Sequence, residues 1–147
     1  MSVVEQKDSQ QLHGHWRLVS FLEQRGDEWV AALGAEAKAC LSYWPNGQMQ
    51  VLIGAADRPR FRGEWSAIPD AEKAVCLDRM VAYAGRYTVA KDRVLHHVEI
   101  CWIPNWERRD LVRRVDFPAP NQLLLSTVDD PDGRPRPAQR VLWERSE

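Results

Sequence analysis

Apolar and polar side chains alternate along most of this chain, and the alternation is clearest from residue 14 onward. In the segment beginning Gly14-His15-Trp16, side chains of one kind recur at every second residue, which is the period of a half-buried β-strand. A glycine two residues before a tryptophan lets the backbone bend before it seats the indole. We therefore predict a first strand with Trp16, Leu18, Ser20 and Leu22 on the inner face and Arg17, Val19, Phe21 and Glu23 on the other.

Further strand-like segments follow at intervals of roughly 8–12 residues, separated by turn residues. Asn46-Gly47 is the strongest hairpin signal, because this pair tolerates the backbone angles of a tight two-residue turn. We expect an all-β fold of about eight or nine short antiparallel strands, arranged as a sandwich or an up-and-down barrel. Besides the first strand, the predicted segments are 40–44, 48–53, 61–65, 85–89, 93–103, 110–117, 122–127 and 140–145.

One segment has helical periodicity instead. Pro69 and Asp70 form a helix start, and apolar residues recur near helical spacing as far as about Ala82. We expect one short α-helix here, which covers part of a barrel or closes one of its mouths. Residues 1–11 are polar and are predicted to be a flexible tail, so the folded domain is expected to span residues 12–147.

Composition limits the classes of function. The chain has 147 residues, 44% of them apolar and 28% charged, which suits a single soluble domain with its own core. Its net charge of −1 provides no general attraction to nucleic acid or to acidic membranes, so neither is expected as a partner. The oligomeric state stays open, a homodimer included. A small-molecule ligand or substrate is the expected partner.

The three cysteines, Cys40, Cys76 and Cys101, are too few and too far apart for a disulfide framework or a zinc site. We expect them to be reduced and mostly buried. The N-terminal residues contain no apolar run of signal-peptide length, and no later run approaches the length of a membrane span. A cytoplasmic protein is therefore expected.

Several segments, taken in order, resemble the bacterial and fungal lipocalin-like domain family. The resemblance implies a calycin-type up-and-down β-barrel, within a group that includes ligand carriers, haem binders and cofactor-free enzymes, some associated with secondary metabolism. At Ile100 and Cys101 the chain departs from the family pattern of glycine and serine, which implies a smaller and more apolar cavity. The matching segments are Gly14-His15-Trp16-Arg17-Leu18-Val19-Ser20, Tyr43-Trp44-Pro45-Asn46-Gly47-Gln48-Met49, Asp57-Arg58-Pro59-Arg60-Phe61, Ala82-Tyr83-Ala84-Gly85-Arg86-Tyr87, His96-His97-Val98-Glu99, Pro104-Asn105-Trp106 and Trp143-Glu144-Arg145.

The best candidate for chemistry is the strand around His96 and His97. Alternation places His97 on one face with Glu99 and Cys101, and His96 on the other with Val98, Ile100 and Trp102. A histidine two residues from a glutamate can be oriented by it and act as an acid or base. If the apolar face is the inner one, His97 and Glu99 form a solvated outer pair and His96 is the polar group in the cavity.

Arg113 shares a face with the apolar residues Leu111, Val115 and Phe117. An arginine among apolar neighbours must be paired, because isolated burial of a charge is costly. It is predicted either to bind a ligand carboxylate or enolate or to form an internal salt bridge, for example with Glu99. The resemblance further implies that a late arginine, Arg145 or failing that Arg140, stacks on the Trp16 indole.

Two functions remain open. The first is binding of a small, partly apolar ligand in the barrel, with Arg113 for polarity and Tyr43, Met49, Tyr83, Tyr87, Trp102 and Trp106 for contact. The second is a cofactor-free isomerase, cyclase or lyase, with His97 as acid or base, Glu99 as its orienter and Arg113 or Tyr87 as oxyanion donor. No metal is expected, because adjacent histidines on a strand point to opposite faces. Haem is the one cofactor left open, through His96 or His97.

Overall fold

Nine antiparallel strands form one sheet in the order β2-β1-β3-β4-β5-β6-β7-β8-β9, and pairing of β1 with β9 closes it into a barrel. The structure is a computed structural model that describes residues 9–128 and 137–146. Eight strands form the barrel wall, while β2 pairs with the second half of β1 as an extra strand. The strands are β1 (Gly14–Arg25), β2 (Glu28–Ala31), β3 (Lys38–Tyr43), β4 (Gln48–Gly54), β5 (Met80–Ala90), β6 (Arg93–Cys101), β7 (Asp110–Asp116), β8 (Gln122–Thr127) and β9 (Gln139–Arg145).

The two ends of the barrel differ. At one end, called the closed end below, short connections of residues 44–47, 91–92 and 117–121 join neighbouring strands. The opposite end, called the loop end, carries the longer segments 55–79 and 102–109. A helical turn at residues 9–12 precedes β1 and inserts Leu12 into the core at 1% exposure. Residues 9–11 of the predicted flexible tail thus belong to this turn, and its residues 1–8 lie outside the described part.

The helix α1 (Asp70–Asp78) is shorter than predicted. Met80 and Val81 pair with Gly54 and Ile53 of β4, so the sheet's hydrogen-bond ladder takes the residues that would have extended the helix. None of the residues of α1 is buried, which does not fit the expectation that the helix covers the barrel. No strand forms at 61–65, where the structure has bends and a 3-10 turn at Trp65–Ala67. In the described ranges no helix has the length and apolarity to cross a membrane.

Bulges in two strands change which residues face inward. In β1, Val19 is an extra residue between the pairs Leu18–Trp143 and Ser20–Leu142, which is the geometry of a β-bulge. Trp16 therefore faces inward as predicted, at 1% exposure, but Phe21 replaces Ser20 as the next core residue. The prediction that Ser20 and Leu22 point inward is wrong, because strict alternation cannot pass through a bulge.

The second bulge lies in β6. Gly85 of β5 pairs with Val98 and Ala84 pairs with Ile100, so that Glu99 is the extra residue. A Cβ atom on Gly85 would lie 2.0 Å from the His97 carbonyl oxygen, so only glycine allows this close approach of the two strands. Beyond the bulge Cys101 is buried and Ile100 is 65% exposed, which reverses the faces predicted for these two residues.

Candidate functional site

His96, not His97, is the histidine inside the barrel. Val94, His96 and Val98 of β6 point inward and are 0%, 2% and 3% exposed. His96 is also paired in register with the buried Leu111 of β7. The second of the two orientations left open by the sequence is therefore the one that the structure adopts.

Two tyrosine hydroxyls hold the His96 ring. The Tyr43 hydroxyl lies 2.6 Å from Nε2, and the Tyr83 hydroxyl lies 2.7 Å from Nδ1. We call these three side chains the Tyr–His–Tyr chain. It links β3, β5 and β6 through the middle of an apolar core. Both of its hydrogen bonds are buried, so the surrounding low polarity strengthens them.

Burial and nearby positive charge keep the His96 ring of the Tyr–His–Tyr chain neutral. Burial, the positive charge of Arg113 and the neighbouring His97 lower the pKa of His96 to about 3. Burial likewise raises the pKa of Tyr83 to about 12 and that of Tyr43 well above its ordinary value, while Arg113 acts in the opposite direction on both. Near neutral pH the site thus contains a neutral imidazole, two neutral phenols and one cation.

Arg113 lies on the inner face of β7, as its neighbours predicted. It is the Cα partner of the fully buried Val94, the second residue of β6 after the closed-end turn, and of Thr127, the last residue of β8 at the loop end, so Arg113 lies between the two ends. The guanidinium is half-buried, and its Nη1 donates a 2.9 Å hydrogen bond to the Val112 carbonyl. Across residues 9–128 and 137–146 no carboxylate lies within ion-pair distance of it.

The predicted salt bridge between Arg113 and Glu99 does not form. Glu99 lies on the outer wall, where its Oε1 is 3.5 Å from Nε of Arg86. Phe117, predicted on the same face as Arg113, lies beyond the end of β7 and is 37% exposed.

The predicted contact residues fall into two groups. Tyr43, Met49 and Tyr87 are 1%, 2% and 5% exposed and fill the closed half of the barrel. There the Tyr87 hydroxyl donates to the Trp44 carbonyl at 2.8 Å, and the Tyr43 and Tyr87 rings meet edge to face at 4.8 Å. These three residues therefore present almost no surface to a ligand in this conformation.

Trp102 and Trp106 form the second group, at the loop end. Their rings meet edge to face at 5.2 Å, and both pack against the core while staying partly exposed. Partly exposed apolar residues of the same end also pack against the core, namely Leu33, Ala39, Val81, Ile103 and Val141. Apolar surface at the loop end therefore remains accessible to a small molecule.

His97 belongs to a separate network on the outer wall. Its Nε2 lies 2.8 Å from the Thr88 hydroxyl and its Nδ1 lies 2.7 Å from Oδ1 of Asp110. These residues link β5, β6 and β7 beside an open depression of about 560 Å³, lined by His97, Val98, Glu99, Arg108 and Asp110. The structure therefore does not bring His97 and Glu99 together with Arg113 in a cavity, because a barrel wall separates them. Asp110 rather than Glu99 orients His97.

Trp16 plugs the closed end. Its Nε1 donates a 2.9 Å hydrogen bond to the Leu12 carbonyl, and the Arg145 guanidinium carbon lies 4.2 Å from its ring centroid. The prediction that Arg145 stacks on Trp16 is confirmed. Gly14 has φ +122°, and a Cβ there would lie 2.9 Å from Nη1 of Arg145, so this site requires glycine. Arg140 stacks instead on Trp29, at 4.1 Å.

One interior residue carries a polar atom that the sequence did not point to. Trp143 is 2% exposed, and its Nε1 has no acceptor within the described residues. A tryptophan in an alternating strand reads as core, and nothing in the local sequence shows where its N–H group points. The sequence could not show this unpaired N–H group, because its possible acceptors lie on strands that are distant in sequence.

Two observations concern the metal and haem sites considered above. No three His, Cys, Asp or Glu side chains in those ranges converge on a point where a metal ion could bind. Both ring nitrogens of His96 contact tyrosine hydroxyls, so neither could ligate a haem iron without breaking the Tyr–His–Tyr chain. The three cysteines are free, and only Cys101 is buried.

A closed antiparallel eight-stranded barrel with one extra strand and a plugging tryptophan defines a lipocalin-like β-barrel. The chain belongs to the lipocalin-like domain family, whose model matches residues 13–146. No curated protein matches the sequence.

Among solved structures, a redesigned β-barrel is 14% identical, with 95% of each chain covered and a TM-score of 0.46. A de novo designed fluorescence-activating β-barrel is 13% identical, with 94% of this chain and 96% of that chain covered and a TM-score of 0.45. Likeness at this level carries no conclusion about function.

Proposed function

We propose that this protein binds a small, partly apolar molecule with a negatively charged group at the loop end of its barrel. The observation that carries the proposal is the half-buried, inward-facing guanidinium of Arg113, which has no carboxylate partner among the described residues. The buried Leu111 precedes Arg113 on the same face of β7, and the half-buried Val115 follows it.

An unpaired cation in this position is a cost to the folded protein. Removing a charge from water is unfavourable unless a counter-charge and hydrogen bonds compensate it. A ligand carboxylate supplies both, since arginine and carboxylate groups can form two parallel hydrogen bonds. The remaining ligand body would then lie against the accessible apolar surface near Trp102 and Trp106.

The alternative is a cofactor-free isomerase, cyclase or lyase. It would rely on His96, acting through the Tyr83 hydroxyl, because His97 and Glu99 lie on the outer wall. The observation in its favour is the neutral imidazole between two phenols, which can pass a proton in either direction. A changed mass of a molecule incubated with the protein would favour it over simple binding.

Displacement of the fluorescent apolar probe N-phenyl-1-naphthylamine tests the binding proposal. Naphthalene-2-carboxylate serves as the anionic competitor, and 2-ethylnaphthalene serves as a neutral one of similar size. We expect Arg113→Met to weaken binding of the carboxylate about tenfold or more, which corresponds to about 1.4 kcal/mol. Binding of the hydrocarbon should change less than about twofold, since methionine retains the apolar contact.

Arg114→Met is the matched control, because Arg114 is the next residue of β7 and points outward, where it pairs with Asp116. It should change neither affinity. Failure of wild-type protein to bind the probe or either naphthalene would overturn the proposal. So would equal losses of carboxylate binding in the two variants.

A further inference from the structure

The hydrogens of the Tyr–His–Tyr chain can be counted. A neutral imidazole carries one N–H group, and each phenol carries one O–H group, which makes three donors. The chain contains two contacts, one at each ring nitrogen of His96. Each contact uses one hydrogen. One hydroxyl hydrogen is therefore left without an acceptor inside the chain, and the two hydroxyls have no other hydrogen bond within the described residues.

The position of the spare hydrogen depends on the tautomer of His96. If Nε2 carries the hydrogen, it donates to Tyr43, and the Tyr43 hydroxyl is left over. If Nδ1 carries it, Nδ1 donates to Tyr83, Tyr43 donates to Nε2, and the Tyr83 hydroxyl is left over. The two arrangements contain the same groups and differ in which tyrosine has a free O–H.

Burial decides between them. Tyr43 is 1% exposed and packs against the Tyr87 ring in the closed half, where a free donor would be sealed among apolar side chains. Tyr83 is 9% exposed and pairs with Cys101, the last residue of β6 at the loop end. A buried donor without a partner is costly, so the spare hydrogen belongs on Tyr83, where a molecule entering from the loop end can accept it.

Two other unpartnered groups of the interior are donors, whereas Nε2 of His13, in the turn before β1, donates or accepts according to its tautomer. Nε1 of Trp143 is a buried N–H group without an acceptor, and most of the five N–H donors of Arg113 are free within the described residues. Spare donors on Tyr83 and Arg113 are completed by a molecule that brings acceptor oxygens. An ammonium compound would add donors and meet the charge of Arg113.

We infer that the ligand belongs to the class of apolar molecules with a conjugated carbonyl, enolate or carboxylate, whose oxygen accepts a hydrogen bond from the Tyr83 hydroxyl beside Arg113. The inference rests on the proposed binding function and specifies its polar group. His96 is a positioning residue in this arrangement, since its Nδ1–H group directs the Tyr83 hydrogen away from the ring and toward the ligand.

The tautomer of His96 can be tested without any ligand. Long-range ¹H–¹⁵N correlation spectra at neutral pH distinguish the protonated from the unprotonated ring nitrogen, and His96→Gln identifies the His96 signals. We expect a neutral ring with the hydrogen on Nδ1. A hydrogen on Nε2, or a doubly protonated ring, would overturn the inference while leaving the proposed binding function intact.

A second test uses two competitors of nearly the same shape, 2-acetylnaphthalene and 2-isopropenylnaphthalene, in the displacement assay. Only the ketone has an acceptor oxygen. We expect wild-type protein to prefer the ketone about fivefold, and Tyr83→Phe to abolish that preference. Tyr87→Phe is the control, because the Tyr87 hydroxyl donates to the Trp44 carbonyl outside the chain, and it should keep the preference.

The outcomes separate the two proposals. If neither of these competitors nor naphthalene-2-carboxylate displaces the probe, the binding proposal fails. If both displace it equally from wild-type protein, binding stands and the acceptor specificity is refuted. Should Tyr83→Phe not fold, the ketone preference of the wild type and the His96 tautomer still decide the question.

Discussion

Replacing Arg145 by methionine tests what holds the closed end of the barrel together. The guanidinium lies 4.2 Å from the Trp16 ring centroid, and its two terminal nitrogens donate to the His13 carbonyl at 2.5 Å and the Gln11 carbonyl at 2.8 Å. The stacking contributes about 0.5–2 kcal/mol, and each charged hydrogen bond about 1.5 kcal/mol, the low end of its range because the group is only half-buried. We expect Arg145→Met to lower the free energy of unfolding by about 3.5–5 kcal/mol.

Urea unfolding followed by tryptophan fluorescence measures this loss. Arg140→Met is the matched control, since Arg140 stacks on Trp29 at a similar distance of 4.1 Å but is exposed and forms no hydrogen bond to a backbone carbonyl of the described residues. It should cost less than about 1 kcal/mol. Equal losses of unfolding free energy in the two variants would refute the reasoning, because they would mean that the hydrogen bonds from Arg145 to the His13 and Gln11 carbonyls contribute nothing.

Two further predictions concern the interior. Gly85→Ala should destabilise the protein by about 3 kcal/mol or more in thermal unfolding, because the new Cβ would lie 2.0 Å from the His97 carbonyl oxygen. The control Gly63→Ala, in open space at φ +86°, should cost about 1 kcal/mol. Similar losses in the two variants would contradict this reasoning. His96 stays neutral in the folded state down to a pKa of about 3, while the unfolded chain takes up a proton near pH 6.5. Its contribution to stability is therefore complete above pH 6.5 and lost as the pH falls, by about 2 kcal/mol at pH 5. Comparing urea unfolding of wild type and His96→Gln at pH 7 and pH 5 isolates this loss, and equal pH dependence in both would contradict it.

The strand pattern was predictable because the alternation is local. The family resemblance supplied the barrel, and the strand segments around Tyr43, Tyr87 and Leu123 lie where their residues indicated. The bulges at Val19 and Glu99 were not predictable in this way, since each depends on the register between strands distant in sequence. Each bulge reversed the inward and outward faces beyond it, which is why Phe21 is buried against expectation and why Cys101 rather than Ile100 shares the inner face with His96.

The site was harder to predict than the fold. His96 could have been favoured over His97, because Val94 and Val98 flank it on one face, whereas His97 shares its face with Glu99. The closeness of His97 to Glu99 in the sequence suggested a catalytic pair instead. In the structure the two side chains have different partners, since His97 contacts Asp110 and Glu99 contacts Arg86. The Tyr–His–Tyr chain joins residues 43, 83 and 96, so no local pattern could show it.

The stability of Arg113→Met distinguishes a structural from a ligand-binding role for the polar interior. A charge that served only the fold would be paired within it, and removing one partner of such a pair costs several kcal/mol. Arg113 has no carboxylate partner in the described ranges, so methionine should leave the free energy of unfolding of the ligand-free protein unchanged or raise it. The same substitution should weaken binding of a carboxylate. Stability and affinity changing in opposite directions is the behaviour of a residue whose partner arrives from outside the chain.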